Sequence, residues 1–132
     1  MTIAEVSKKY GISADTLRYY ERIHLIPPVH RNTNGIRNFT EEDCKWVEFA
    51  KCMRNAGISI EALIEYVALF QQGEKTRECR KQLLIEEYEK LSIRVQEMKD
   101  TMKRLESKIA HYDDTILMAE HRLNRQEEEE LA

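Results

Sequence analysis

Residues 11–39 read GISADTLRYYERIHLIPPVHRNTNGIRNF, and the fold turns on this stretch. Gly11 breaks whatever helix precedes it, and Ser13 is a good N-cap for the next. Ile12, Leu17, Tyr20 and Leu25 fall at spacings suited to a core. Pro27-Pro28 is expected to end that helix, because proline pushes the residue before it out of helical geometry. Asn34-Gly35 is a strong hairpin signal, since a type I′ turn needs two residues that tolerate positive φ. Two short strands around it would form a wing over about residues 27–39. Helix, glycine turn, helix and wing outline a winged helix-turn-helix.

Outward from there the pattern is helical. Thr2 followed by Glu5 is a capping-box pattern opening a helix to about Tyr10. Thr40 with Asp43 repeats it for a third helix, on which Trp46, Phe49, Ala50 and Met53 are expected to face the core. Gly57 closes that helix and Ser59 caps a fourth. Ile60, Leu63, Ile64, Val67 and Leu69-Phe70 supply its apolar face, and Gly73 ends it.

The most regular segment follows. Leu84, Tyr88, Leu91, Val95, Met98, Met102, Leu105, Ile109, Tyr112 and Ile116 step by four and three, and Ala119 and Leu123 continue the register weakly. This is a heptad seam, with charges elsewhere on the helix. At about 1.5 Å per residue it spans roughly 50 Å, more than a small domain could cover. A second copy of the chain is the expected partner. Met98 and Met102 are therefore seam core. The expected division is a DNA-binding domain with helical connector over 1–73, a dimerisation helix over 74–123, and an acidic tail over 124–132. The fold class is mainly α.

Composition narrows the function. A third of the 132 residues are charged and there are only four glycines and two prolines, which favours helix over a β-sandwich or a disordered chain. No apolar run is long enough for a membrane span, and Met1–Val6 lacks the layout of a signal peptide, so a reducing cytoplasm is the expected compartment. The net charge of −3 hides an asymmetry. Residues 1–57 hold nine Lys/Arg against seven Asp/Glu, whereas the remainder holds twelve against seventeen. A DNA reader needs only a local basic surface. No phosphate loop, zinc-protease motif or nucleophile elbow is present, so the chain is not expected to be an enzyme or to need a cofactor.

In a winged helix-turn-helix the second helix offers its N-terminal residues to base edges. Here Ser13, Thr16, Arg18 and Tyr19 occupy those places. Arg18 can grip phosphate or guanine through its planar fork, and the hydroxyls can meet phosphate. Arg31 and Arg37 flank the wing turn at Asn34-Gly35, and His24 and His30 adjoin it as phosphate neighbours.

Thr16–Arg22, Leu25–Pro28 and Arg31–Arg37, with Met53–Glu61 after them, resemble the MerR family of transcription regulators in order and spacing. The resemblance implies a homodimer joined by an antiparallel coiled coil. It also implies double-stranded promoter DNA bent and untwisted across an overlong spacer, with RNA polymerase at that promoter. Arg18, Tyr19, Arg31, Asn34 and Arg37 match DNA-contacting positions of the family, while Ile36 stands where members often have Tyr. A coiled-coil interaction module without DNA binding is the rival from another class.

The three cysteines, Cys44, Cys52 and Cys79, form no C-x-x-C pair and no disulfide framework. Cys44 is expected on a solvent-facing side of the third helix. Cys52 is expected at the edge of the apolar face, near Lys45 and Lys51 in sequence, which promote a thiolate. Its place near the helix C-terminus disfavours an anion. On the residues alone it reads as a half-buried structural thiol. Lys51–Gly57, however, resembles the AdhR/NmlR branch of the family, which responds to reactive aldehydes and other electrophiles, and this resemblance makes Cys52 the sensor thiol. A metal- or drug-responsive regulator is the alternative. Cys79 with His111 or His121 falls short of the three or four soft ligands a zinc or copper site needs, so no metal is expected. Glu127–Glu130 reads as a solvated, frayed tail.

Overall fold

The structure, a computed structural model, describes residues 1–131. The helices in chain order are α1 (Ile3–Tyr10), α2 (Ala14–Arg22), α3 (Glu41–Asn55), α4 (Ile60–Gln71), α5 (Arg77–Ala110) and α6 (Tyr112–Leu131). A short 3-10 turn at Glu74–Thr76 precedes α5. The chain divides into two compact units, Met1–Leu91 and Ser92–Ala132.

Local chemistry sets the helix starts. The Thr2 hydroxyl accepts the Glu5 N–H at 3.1 Å while the Glu5 carboxylate accepts the Thr2 N–H at 3.2 Å. Thr40 and Asp43 exchange the same pair of bonds at 3.2 and 2.9 Å. Such caps satisfy N–H groups that the first turn leaves without helical partners. Ser13 and Ser59 cap α2 and α4 by single hydroxyl acceptors. Gly11, at φ 66°, takes the left-handed turn that ends α1 and aims α2 back against it.

The end of α2 departs from expectation. The helix stops at Arg22, before the prolines, because His24 adopts φ 65°. The chain then turns back, with the Leu25 N–H on the Tyr20 carbonyl at 2.9 Å. His24 thus holds the left-handed position that glycine usually fills.

The wing also differs. Among the described residues there is no β-strand, only an isolated antiparallel bridge between Arg31 and Arg37. The Asn32 carboxamide oxygen accepts the N–H groups of Asn34 and Ile36, at 2.9 and 3.1 Å. Within the wing only Gly35 has positive φ, 78°, so the turn is not type I′. A side chain takes the backbone donors that a longer ladder would have used.

Val6 of α1, Leu17 of α2, Val47 of α3 and Leu63 of α4 are buried in one cluster with Leu25, Ile26 and Phe39. Each such side chain contributes about 1.5–3 kcal/mol on burial. The buried side of α3 runs through Asp43, Cys44, Val47 and Ala50, while Trp46, Phe49 and Met53 are half-buried beside it. Trp46 meets Phe70 at 4.9 Å and Phe49 meets Tyr66 at 5.5 Å between ring centres, joining α3 to α4. The Thr76 hydroxyl donates to the Leu69 carbonyl at 2.6 Å and accepts from Arg80 Nε at 3.2 Å, tying the end of α4 to the start of α5.

One long helix was expected through the seam, but α5 ends at Ala110 and a turn at His111 precedes α6. The segment expected to fray is helical to Leu131 and fully exposed. Among the described residues no helix is long and apolar enough to cross a membrane.

Candidate nucleic-acid interface

Capping by Ser13 fixes the start of α2 and therefore which side chains stand at its first turns. Ser13, Arg18 and Tyr19 are exposed and Thr16 is half-buried. The Ser13 hydroxyl lies 2.8 Å from that of Thr16, so the two form one polar pair at the helix entrance. Arg18 is held by Asp15 at 2.9 Å, an exposed pair that water screens and a phosphate can displace. The Arg22 guanidinium lies over the Tyr19 ring, 5.3 Å from its centre.

The wing carries the second cationic group. Arg31, Asn34 and Gly35 are exposed, and Arg37 is half-buried. Arg31 Nη1 donates to the Gly35 carbonyl at 2.9 Å, bracing the turn from one side. Both wing arginines face an acid that the sequence reading passed over as a site residue. Glu21, near the end of α2, accepts Arg37 Nε at 2.7 Å and lies 3.7 Å from Arg31 Nη2. Its other oxygen accepts the Val29 N–H at 2.6 Å. The signal was an acid on the face otherwise read as DNA-facing, where a lone carboxylate is costly unless cations answer it.

His30 does not stand free as a phosphate neighbour. Its ring Nδ1 lies 3.0 Å from Asp43, whose carboxylate also accepts the His30 and Thr40 N–H groups. Burial pushes the Asp43 carboxyl up, but hydrogen bonds from Thr40 and His30 outweigh it and hold it below the ordinary range. The wing is thereby fastened to α2 through Glu21 and to α3 through Asp43.

Both cysteines of α3 lie off their expected positions. Cys44 is buried, its Sγ 3.9 Å from Met1 Sδ, and Cys52 is exposed. Cys44 shares the buried side of α3 with Val47 and Ala50, whereas Cys52 falls on the opposite, exposed side. The Lys51 ammonium reaches the Tyr10 carbonyl at the end of α1. Cys79 is exposed, and among the described residues no three His, Cys, Asp or Glu side chains gather in a way that could hold a metal ion.

Of the seam residues, Leu84, Tyr88, Val95, Met98, Met102, Leu105, Ile109 and Tyr112 are exposed, while Leu91 and Ile116 are half-buried. Leu84, Tyr88 and Leu91 also wall an apolar cavity of about 200 Å³ opposite Phe49, Met53 and Tyr66.

Comparison with known proteins gives this geometry its context. The chain is 60% identical over 91 residues to the HTH-type transcriptional regulator AdhR of Bacillus subtilis, a match covering 69% of this chain and 65% of AdhR. A crystal structure of a MerR-family transcriptional regulator from Listeria monocytogenes superposes with TM-score 0.84 and 48% identity, over 98% of both chains. The structure of HiNmlR, a MerR-family regulator lacking the sensor domain and bound to promoter DNA, superposes with TM-score 0.78. It is 33% identical over 86% of this chain and 90% of its own. Residues 1–69 match the MerR HTH family of regulatory proteins. With its helix-turn-helix, its wing and its long C-terminal helix, this chain belongs to the MerR family of helix-turn-helix transcriptional regulators.

Proposed function

We propose that the chain is a homodimeric regulator that binds promoter DNA, and that Cys52 senses reactive aldehydes or other electrophiles. One observation carries the DNA reading. The exposed first turns of α2 and the two wing arginines lie in one compact unit, tied together through Glu21. The α2 entrance suits base edges, and Arg31 and Arg37 suit the flanking phosphates. HiNmlR, of the same fold, was seen on promoter DNA.

The dimer reading rests on exposure. Eight seam side chains stand in water. Pairing with a second copy would bury them at about 25 cal/mol per Å² of apolar area. Two heads held at a fixed spacing can distort the duplex between them, and the energy of that distortion depends on sequence. RNA polymerase at the distorted promoter is the partner this mechanism serves, in the cytoplasm.

The sensor reading rests on the exposure of Cys52 and the likeness to AdhR. Addition of the thiolate to an aldehyde carbonyl forms a C–S bond, and the resulting alkoxide takes a proton from water. The thiol needs access for this, and it has it.

The test is twofold. Gel shift on promoter duplexes selected from a random library should show sequence-specific binding that weakens steeply with salt. Absence of specific binding would remove the DNA reading. Cys52→Ser should bind the same duplex as tightly as the parent but lose its response to aldehyde; a retained response would remove Cys52 as the sensor.

A further inference from the structure

We propose that Glu21 is the positioning residue of the wing, aiming Arg37 at the DNA backbone, so that an acid on the reading face strengthens the hold on DNA. The inference rests on the reading of α2 and the wing as the DNA-binding face.

The geometry is specific. The Glu21 side chain is 13% exposed and the Arg37 side chain 23%, so the pair is largely shielded from water. The contact at 2.7 Å uses Arg37 Nε and leaves the two terminal nitrogens to other partners. A guanidinium held by Nε presents its opposite, terminal edge, and that edge can grip a phosphate. The same carboxylate fixes the Val29 N–H after Pro27-Pro28, so it locks both the approach to the wing and the arginine on its return. Arg31 is braced separately by the Gly35 carbonyl, which leaves Arg37 as the arginine that depends most on Glu21.

Two effects of Glu21 on DNA binding oppose each other. Its charge repels phosphate, but it is buried against its own two cations, so little of its field reaches the duplex. Its hold on Arg37 removes rotamer freedom before DNA arrives, and an arginine ordered in advance loses less on binding. The two effects predict opposite signs for removal of the charge, and that makes the role testable.

Glu21→Gln keeps the volume of the side chain and an oxygen for the Val29 N–H, but loses the charge that holds Arg37. The experiment measures affinity for a duplex selected by the parent chain, for the parent, Glu21→Gln, Arg37→Ala and the double variant. Circular dichroism is followed alongside. Glu21→Gln should bind about five- to tenfold more weakly, although it removes a negative charge. In the Arg37→Ala background the same change should alter affinity by less than about twofold. Glu21→Asp, with the charge on a shorter arm, should fall between Gln and the parent, and it takes the place of Gln in the cycle if that variant does not fold. Equal or tighter binding by Glu21→Gln overturns the role, and so does an equal loss with and without Arg37. A parent that selects no duplex defeats the DNA reading itself. A parent that binds beside an unweakened Gln variant defeats only the role of Glu21.

Discussion

Asp43 shows how much one side chain can settle. A buried acid is rare unless hydrogen bonds answer its charge, and here Thr40 and His30 supply them. Because its carboxyl titrates below the ordinary range when folded, its contribution is fully present above the unfolded value, about 3.9, and is lost as pH falls through the folded one. Asp43→Asn should therefore lower unfolding free energy at neutral pH by about 1–3 kcal/mol. It should also flatten the loss of stability below about pH 4. Urea unfolding across pH measures both, and a variant with the parent's acid limb would refute the assignment. On the same helix the sequence missed the sides of two thiols. Trp46, Phe49, Ala50 and Met53 do pack into or against the core, but the fully buried side runs through Asp43, Cys44, Val47 and Ala50, so Cys44 lies inside and Cys52 outside. Glu21 was hidden because its partners, two hydrogen-bond donors at residues 29 and 37 and the Arg31 cation, lie beyond the reach of any local pattern.

At the scale of elements, legibility followed the range of the interactions. Capping boxes and serine caps act over three residues, so the starts of α1 to α4 could be read from the chain. The end of α2 could not, because it depends on a histidine in a left-handed conformation. The wing was found from Asn34-Gly35 but mistaken in kind, since the carboxamide that organises it belongs to Asn32. The seam was the clearest signal, although it did not disclose the break at His111. On α5, Val95 and Met98 are 43% and 65% exposed, so they lend little to the isolated chain. Paired, each would contribute about 1.5–3 kcal/mol. Val95→Asp with Met98→Asp should leave helix content unchanged and give a monomer at micromolar concentration by sedimentation. Ser92→Asp, off the seam, should stay paired. A dimeric double variant would move the interface elsewhere.

For the whole molecule, the proposed function depends on two levels of fastening. Within Met1–Leu91, Glu21 and Asp43 bind the wing to the helices on either side of it. Between molecules, the apolar row of α5 would set the distance between two such heads and so the spacing of the half-sites they read. Family membership follows from the sequence of residues 1–69, while the proposed assembly rests on an apolar row that a single copy leaves in water. The most direct test is the stoichiometry of the complex, by sedimentation equilibrium of the parent chain with one labelled duplex that it selects. Two chains per duplex are predicted, with the Val95→Asp, Met98→Asp variant losing that species. One chain per duplex for the parent, or no complex at all, would contradict the account.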